Sequence, residues 1–394
     1  MADLQPFDVA RARAETPGCD HVVHLNNAGA SLPSQRVLDV QLDWLRQEAV
    51  TGGYEIAARR DDRERTYQAV ADLIGAGAHE VALMENATFA WHQAFWSLPL
   101  RRGDRILTGR TEYATGFMSF LQAERRRGVH VEVIDDDESG QVSVAALAKM
   151  LDAGGVGVVA LTHVPTNGGL VNPAAEVGRL ANEAGVPFLL DACQSVGQLP
   201  VDVDAIGCDL LSATGRKFLR APRGTGFLYV RETLLDRLDP AFLDLSGATW
   251  AAEDRYELRP DARRFENWEF NYAAVAGLGV AAAYAQEWGI DAIAARNKVL
   301  ADGLRAQLAE VAGVAVHDLG EQRCAIVTFT KEGIDAADIV RKVGEHGFNA
   351  SLSQPSSTLL DFDRRQLPPM VRASIHYYNT EEELTRFTAA VASL

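Results

Sequence analysis

Between about residues 80 and 230 the chain alternates short, β-rich apolar runs with stretches of helix formers, and few folds satisfy that pattern. Residues 129–134, 156–164, 186–190 and 226–230 read as strands, while 143–151 and 174–184 carry helix formers at helical spacing. Strands this apolar have no polar face to offer water. The sequence therefore predicts an α/β fold with a mainly parallel sheet covered by helices on both faces. After residue 270 the character changes. Ala-rich helical stretches cover 273–287 and 290–311, then come a strand at 325–330, a helix near 336–346 and a last helix opening at Thr380. Glu381, Glu382 and Glu383 suit the positive end of that last helix. This part reads as a smaller α+β C-terminal domain.

The bulk properties exclude several functions. A net charge of -16 and a pI near 5.0 argue against nucleic acid or an anionic membrane as the main partner. Cys19, Cys193, Cys208 and Cys324 are scattered without metal-ligand spacing, so no metal site is expected. Residues 1–16 lack the apolar stretch of a signal peptide, and no apolar run is long enough to cross a bilayer. A cytoplasmic protein is the expectation. The charge run at 135–138 reads as a solvated turn.

Lysine is scarce: of 38 basic side chains only Lys149, Lys217, Lys298, Lys331 and Lys342 are lysines. Four have ordinary helical or turn surroundings. Lys217 follows the apolar run Asp209-Leu-Leu-Ser-Ala, sits in Thr214-Gly-Arg-Lys-Phe and precedes Pro222-Arg-Gly-Thr-Gly-Phe. An apolar site beside Arg216 would favour a neutral amine able to form a Schiff base with an aldehyde. Small neighbours would let donors approach a phosphate. Taken alone, the context also fits a surface cation.

Other residues bear on that choice. Asp191 ends an apolar strand, where open α/β sheets place ligands. It reads either as a helix N-cap or as the carboxylate that keeps a pyridine nitrogen protonated, with Gln194 near a phenolic oxygen. Ala87 and Thr88 follow Asn86 at a helix start, either a plain cap or a phosphate cradle. Tyr113 is either a stacking aromatic or an ordinary core or surface tyrosine. Thr166 and Asn167, in Thr-Asn-Gly-Gly, point to the same sheet edge or form a turn. Arg372 lies in a β-like run and either grips a substrate carboxylate or makes a structural ion pair.

These segments resemble a known family. His24-Leu-Asn-Asn-Ala-Gly-Ala, Thr162-His-Val-Pro-Thr-Asn-Gly-Gly, Asp191-Ala-Cys-Gln-Ser-Val-Gly, Thr214-Gly-Arg-Lys and Arg372-Ala-Ser with Tyr378-Asn-Thr-Glu-Glu-Glu are similar to class V aminotransferase-fold enzymes, in particular the cysteine desulfurase and selenocysteine lyase group. The resemblance runs over nearly the whole chain. It implies pyridoxal 5'-phosphate (PLP) as cofactor and PLP fold type I, with a mainly parallel seven-stranded sheet. It also implies a homodimer with its active site at the interface, and a small-molecule amino-acid substrate. The implied layout is an arm at 1–20 packing with the small domain, a large domain at 21–270 and a small domain at 271–394. Lys217 would carry the cofactor, Asp191 hold its ring nitrogen, Gln194 its phenolic oxygen and Tyr113 its ring face. Ala87, Thr88, Thr214 and Arg216 would bind the phosphate, with Thr166 and Asn167 nearby. Ala28, Gly29 and Arg372 would meet the substrate, and Asn271 would approach the partner's site.

The chain also departs from that family. Desulfurases carry a nucleophilic cysteine shortly before the carboxylate-binding arginine, whereas 349–358 here reads Asn-Ala-Ser-Leu-Ser-Gln-Pro-Ser-Ser-Thr. Ser356 falls near the nucleophile's place, and serine cannot accept sulfur as a persulfide. The pattern is similar to the cysteine-less branch that includes ergothioneine-pathway C–S lyases. It implies β-elimination from a cysteine S-conjugate or its sulfoxide. Trp91, His92 and Trp268 are either a pocket for an imidazole-bearing substrate or core and interface residues. Transamination and epimerisation on the same fold are the alternative reactions, and a non-catalytic scaffold a remote one.

Overall fold

The computed structural model describes residues 7–394. A seven-stranded sheet holds β1 (Val81–Met84), β2 (Arg105–Thr108), β3 (His130–Val133), β4 (Val156–Thr162), β5 (Phe188–Asp191), β6 (Leu210–Thr214) and β7 (Gly226–Val230). Its order is β1-β7-β6-β5-β4-β2-β3, and only β7 runs against its neighbours. The mainly parallel sheet expected from the apolar runs is thus present. The expected strand at 129–134 shortens to His130–Val133.

Both faces of the sheet are buried, and the alternation along each strand shows how. Val159, Leu161, Leu190, Leu211, Phe227 and Tyr229 enter one core, while Val158, Ala160, Leu189, Leu210, Leu228 and Val230 enter the other. The period-two geometry of a strand sends successive side chains to opposite faces. A strand apolar at every position must therefore be covered twice. On the first face lie α1 (Asp62–Ile74), α2 (Val144–Asp152) and α3 (Ala174–Glu183). Helices Ala87–Ser97 and Ala114–Arg127 cover the second.

A four-stranded antiparallel sheet forms the smaller body: Val314–Val316, Ile326–Lys331, Met370–Ser374 and Ser351–Ser353 in spatial order. It shares a core with the helices Ile290–Ala309, Ala336–Glu345 and Glu381–Ala392. Glu381–Ala392 opens at Thr380 with a capping box: Thr380 Oγ1 accepts from Glu383 N and Glu383 Oε2 accepts from Thr380 N, each at 3.2 Å. The helix Tyr272–Trp288 follows residue 270 in sequence, yet Val275, Leu278 and Ala281 sit in the core of the large sheet. At the N-terminus, Arg13 donates to Tyr378 O and to Glu383, and Phe7 stacks on Trp288 at 4.9 Å. Residues 1–6 of the expected arm lie outside the described residues. Among the described residues no helix is long and apolar enough to cross a membrane.

Two turns of the large body meet where a side chain would not fit. Gly197 has φ +90°, and a Cβ there would lie 2.4 Å from Leu219 N and Phe218 C. The turn after β5 thus presses on the backbone just after Lys217. Gly197→Ala is expected to destabilise the protein by more than ~1 kcal/mol, because both the positive φ and the close approach oppose it. Thermal unfolding measures this; an unchanged melting temperature would contradict it.

Candidate active site

The carboxyl ends of β4, β5 and β6 lie side by side, with Thr162 paired to Asp191 and Asp191 to Ser212 in register. Side chains placed there converge because the strands are parallel. A cavity of about 100 Å³ opens at this edge, where open α/β sheets place ligands. Tyr113, Thr166, Asp191 and Gln194 line it, and so do Ala87, Thr88, Thr214, Arg216 and Lys217. These nine residues come from distant parts of the chain.

Asn86 caps the helix Ala87–Ser97 by accepting from Phe89 N at 2.9 Å. The first N–H groups of a helix have no partner within it, so those of Ala87 and Thr88 are available to an anion. Gly226 lets β7 pass close behind: a Cβ there would lie 3.1 Å from Ala87 N.

Lys217 sits in a tight turn closed by Arg220 N donating to Lys217 O at 2.8 Å. Among the described residues its Nζ has neither an ion pair nor a hydrogen bond, whereas Lys298 pairs with Asp302 and Lys331 donates to helix-end carbonyls. Burial lowers its ammonium from the ordinary lysine value, Cys193 and Asp191 work against that shift, and Arg216 and Arg372 add to it. Arg216 donates to Gly29 O and has no carboxylate partner among the described residues.

Arg372 is buried in the strand Met370–Ser374 without a salt bridge among the described residues. Its Nη1 donates to Thr166 O at 3.0 Å and Thr166 Oγ1 at 2.6 Å, and its Nε is buried with no acceptor. Burial lowers this guanidinium to about 10, with Arg216 adding to the shift. Gln194 Nε2 donates to Ala28 O and Thr166 Oγ1, while its Oε1 is buried without a donor. Asp191 Oδ1 accepts from Cys193 N at 2.8 Å, and Asp191 lines the cavity. Arg216, Arg372 and the Lys217 amine thus surround one carboxylate, with a guanidinium N–H left unused. The arrangement is built for an anion.

Several expected residues lie elsewhere. Asn167 is spent on Asp361 Oδ2 at 2.6 Å and does not line the cavity, because the turn that carries it folds against the helix Leu359–Arg365. Asn271 caps Tyr272–Trp288 by accepting from Ala274 N, and within one chain it lines a separate cleft with Glu85 and Asn267. Ala28 and Gly29 stand one layer out, touching the cavity residues through their carbonyls. Trp91 belongs to the core, His92 pairs with Trp96 Nε1, and Trp268 is exposed, so the three form no common pocket in one chain. Ser356 is exposed.

Two residues were not found by sequence reasoning. Cys193 lines the cavity floor, and its only signal was its place between Asp191 and Gln194. Glu112 is wholly enclosed below the cavity. Its Oε1 accepts from Thr162 Oγ1 at 2.7 Å and its Oε2 from Thr162 N at 3.1 Å and Thr108 Oγ1 at 3.2 Å. A glutamate in Arg-Thr-Glu-Tyr reads as solvated, and nothing local reveals otherwise.

A family profile described as Aminotransferase class-V matches residues 23–387. A probable cysteine desulfurase of Methanothermobacter thermautotrophicus is 29% identical over 93% of this chain and 92% of its own. The apo cysteine desulfurase of Thermococcus onnurineus superposes with a TM-score of 0.91 at 24% identity, covering 100% of this chain and 99% of the other. The cystine C–S lyase C-DES, solved with its product cysteine persulfide, superposes at 0.86 and 22% identity over 96% of this chain and 99% of its own.

Burial, with Asp191 adding, raises the Glu112 carboxyl from 4.5 to about 7. An acid with a raised folded-state pKa binds its proton longer in the folded protein, so stability falls as pH rises from about 4.5 to 7. Relative to Glu112→Gln, which cannot ionise, the wild type should lose roughly 3 kcal/mol across that window. Denaturant unfolding at a series of pH values measures it, and parallel profiles for the two proteins would contradict it.

Proposed function

The chain belongs to the class-V aminotransferase family, and on that premise we propose that it is a PLP-dependent C–S lyase acting by β-elimination on a cysteine S-conjugate or its sulfoxide. The products would be a sulfur fragment, pyruvate and ammonia. PLP is the cofactor of the family, and the residues here fit it: a helix N-terminus and Arg216 for a phosphate, Asp191 for a ring nitrogen, and the Gln194 amide for a phenolic oxygen. The observation that carries the reading is the unpaired Lys217 amine beside Asp191 and the buried, acid-free Arg372.

When bound, the cofactor supplies an aldehyde for the amine and a ring that accepts electron density from the substrate α-carbon. Asp191 would hold a proton at the ring nitrogen. Arg372, its fork fixed by Thr166, takes the substrate carboxylate through Nε and its remaining N–H groups. Tyr113, which lines the cavity, would cover the ring and hand a proton to the departing sulfur. Lys217, whose burial favours the neutral amine, would take the α-proton. The Cβ–S bond then breaks with both electrons leaving on sulfur, and water completes pyruvate and ammonia.

That route needs no nucleophilic cysteine, and the cysteines favour it. Residues 349–358 contain none. Burial pushes Cys19 up to about 11 and Cys324 up to about 12, and Cys193, also buried beside Asp191, lies well above the ordinary thiol value. Sulfur transfer through a protein persulfide requires a thiolate as nucleophile. A sulfoxide substrate of the ergothioneine-pathway type is the preferred candidate. The exposed Phe242, Leu245, Trp250 and Trp268 support a homodimer in which this face is covered and Asn271 nears the partner's cavity.

The holoenzyme should release pyruvate from cysteine conjugates, including hercynylcysteine sulfoxide, without a keto-acid acceptor. Acceptor dependence or stereoinversion would instead assign an aminotransferase or an epimerase. Lys217→Ala should abolish release. Arg372→Gln should lower kcat/KM roughly 100-fold, mainly through KM; an unchanged KM would remove Arg372 from carboxylate binding.

A further inference from the structure

Arg220 is the one buried cation near the site that the proposed reaction leaves unused. It is 2% exposed and has no carboxylate partner among the described residues. It also holds φ at +63°, a left-handed conformation that costs any residue with a Cβ. Glycine would adopt that backbone freely, so what the arginine gives must lie in its side chain.

That side chain joins three segments of the chain. Nε donates to Leu32 O at 2.8 Å, Nη2 to Thr16 Oγ1 at 2.6 Å and Nη1 to Tyr377 Oη. The guanidinium lies 4.8 Å from the ring centre of Tyr378, 5.1 Å from that of Tyr377 and 5.8 Å from that of Tyr284. Its own N–H closes the turn on Lys217 O at 2.8 Å, and Ala221 N donates to Gly215 O at 2.9 Å. Two residues before Arg220, Phe218 O is met by His376 Nε2 at 2.8 Å. His376 lies just past the strand that carries Arg372.

We infer that Arg220 is a positioning residue: it fixes the Lys217 turn against the N-terminal segment and residues 376–378, and so sets where the Lys217 amine stands among its charged neighbours. Those neighbours are Asp191 and Cys193 from the end of β5 and the turn after it, Arg216 from Lys217's own turn and Arg372 from the small sheet. The amine's proton affinity depends on its distance to each. Loosening the turn therefore changes that affinity as well as stability. The inference rests on Lys217 being the residue that carries the cofactor.

The test uses the holoenzyme. The pH midpoint of the visible cofactor band is measured in wild type, Arg220→Gly, Arg220→Lys and Ser143→Ala, the last removing only the cap of α2, where Ser143 Oγ accepts from Ala146 N. Arg220→Gly relieves the backbone but cuts every tie, and is expected to move the midpoint by roughly 0.5 unit or more. It should also lower kcat by roughly tenfold, with a smaller change in KM. Arg220→Lys, which keeps the charge without the fork, should fall between Arg220→Gly and wild type. Ser143→Ala should lower the melting temperature and leave the midpoint in place. If both Arg220 variants melt earlier with an unmoved midpoint, the residue is merely structural and the inference is overturned. Should Arg220→Gly fail to fold, the lysine variant decides alone. A wild-type holoenzyme without a visible band overturns the assignment of Lys217 itself, a result distinct from an unmoved midpoint.

Discussion

The structure depends on an imbalance of charge in a place poor in water. Lys217, Arg216 and Arg372 gather around Asp191, and no second carboxylate among the described residues neutralises them. Taking an unpaired guanidinium out of water costs several kcal/mol, and Arg372 meets only a carbonyl and a hydroxyl there. A protein keeps such a group when an anion arrives to complete it. A cofactor phosphate and a substrate carboxylate would be those anions.

The rest of the fold serves to hold that cluster in register. Strands buried on both faces cannot shift without moving two cores at once, so the ends of β4, β5 and β6 present Thr162, Asp191 and Thr214 at fixed spacing. The Lys217 turn has no strand of its own to steady it. It is held by Gly197 pressing from one side, by His376 on the Phe218 carbonyl, and by Arg220 reaching across to Thr16, Leu32 and Tyr377. The small sheet contributes Arg372 and, beyond the same strand, His376. Arg372 and the contact to the lysine turn thus lie on one continuous piece of backbone.

Sequence reasoning was strongest where physics is local. Apolar runs between helical stretches disclosed the parallel sheet, and lysine scarcity drew attention to Lys217. Cap and strand-end positions placed Ala87, Thr88 and Asp191 correctly at the cavity. It was weakest where a residue's role depends on a partner far along the chain. Asn167 has the right neighbours in sequence, but Asp361 takes its amide. Glu112 reads as a surface acid and is buried under Thr162. Arg220 reads as one more charge in a basic loop, since neither its positive φ nor its tyrosine partners leave a trace within a few residues.

The central claim is that the Lys217 amine bonds the cofactor aldehyde. Borohydride reduction of the holoenzyme, followed by peptide mass mapping, tests it most directly. The account predicts a pyridoxyl adduct on Lys217 and on no other lysine; an adduct on Lys149, Lys298, Lys331 or Lys342 alone, or none at all, would contradict it.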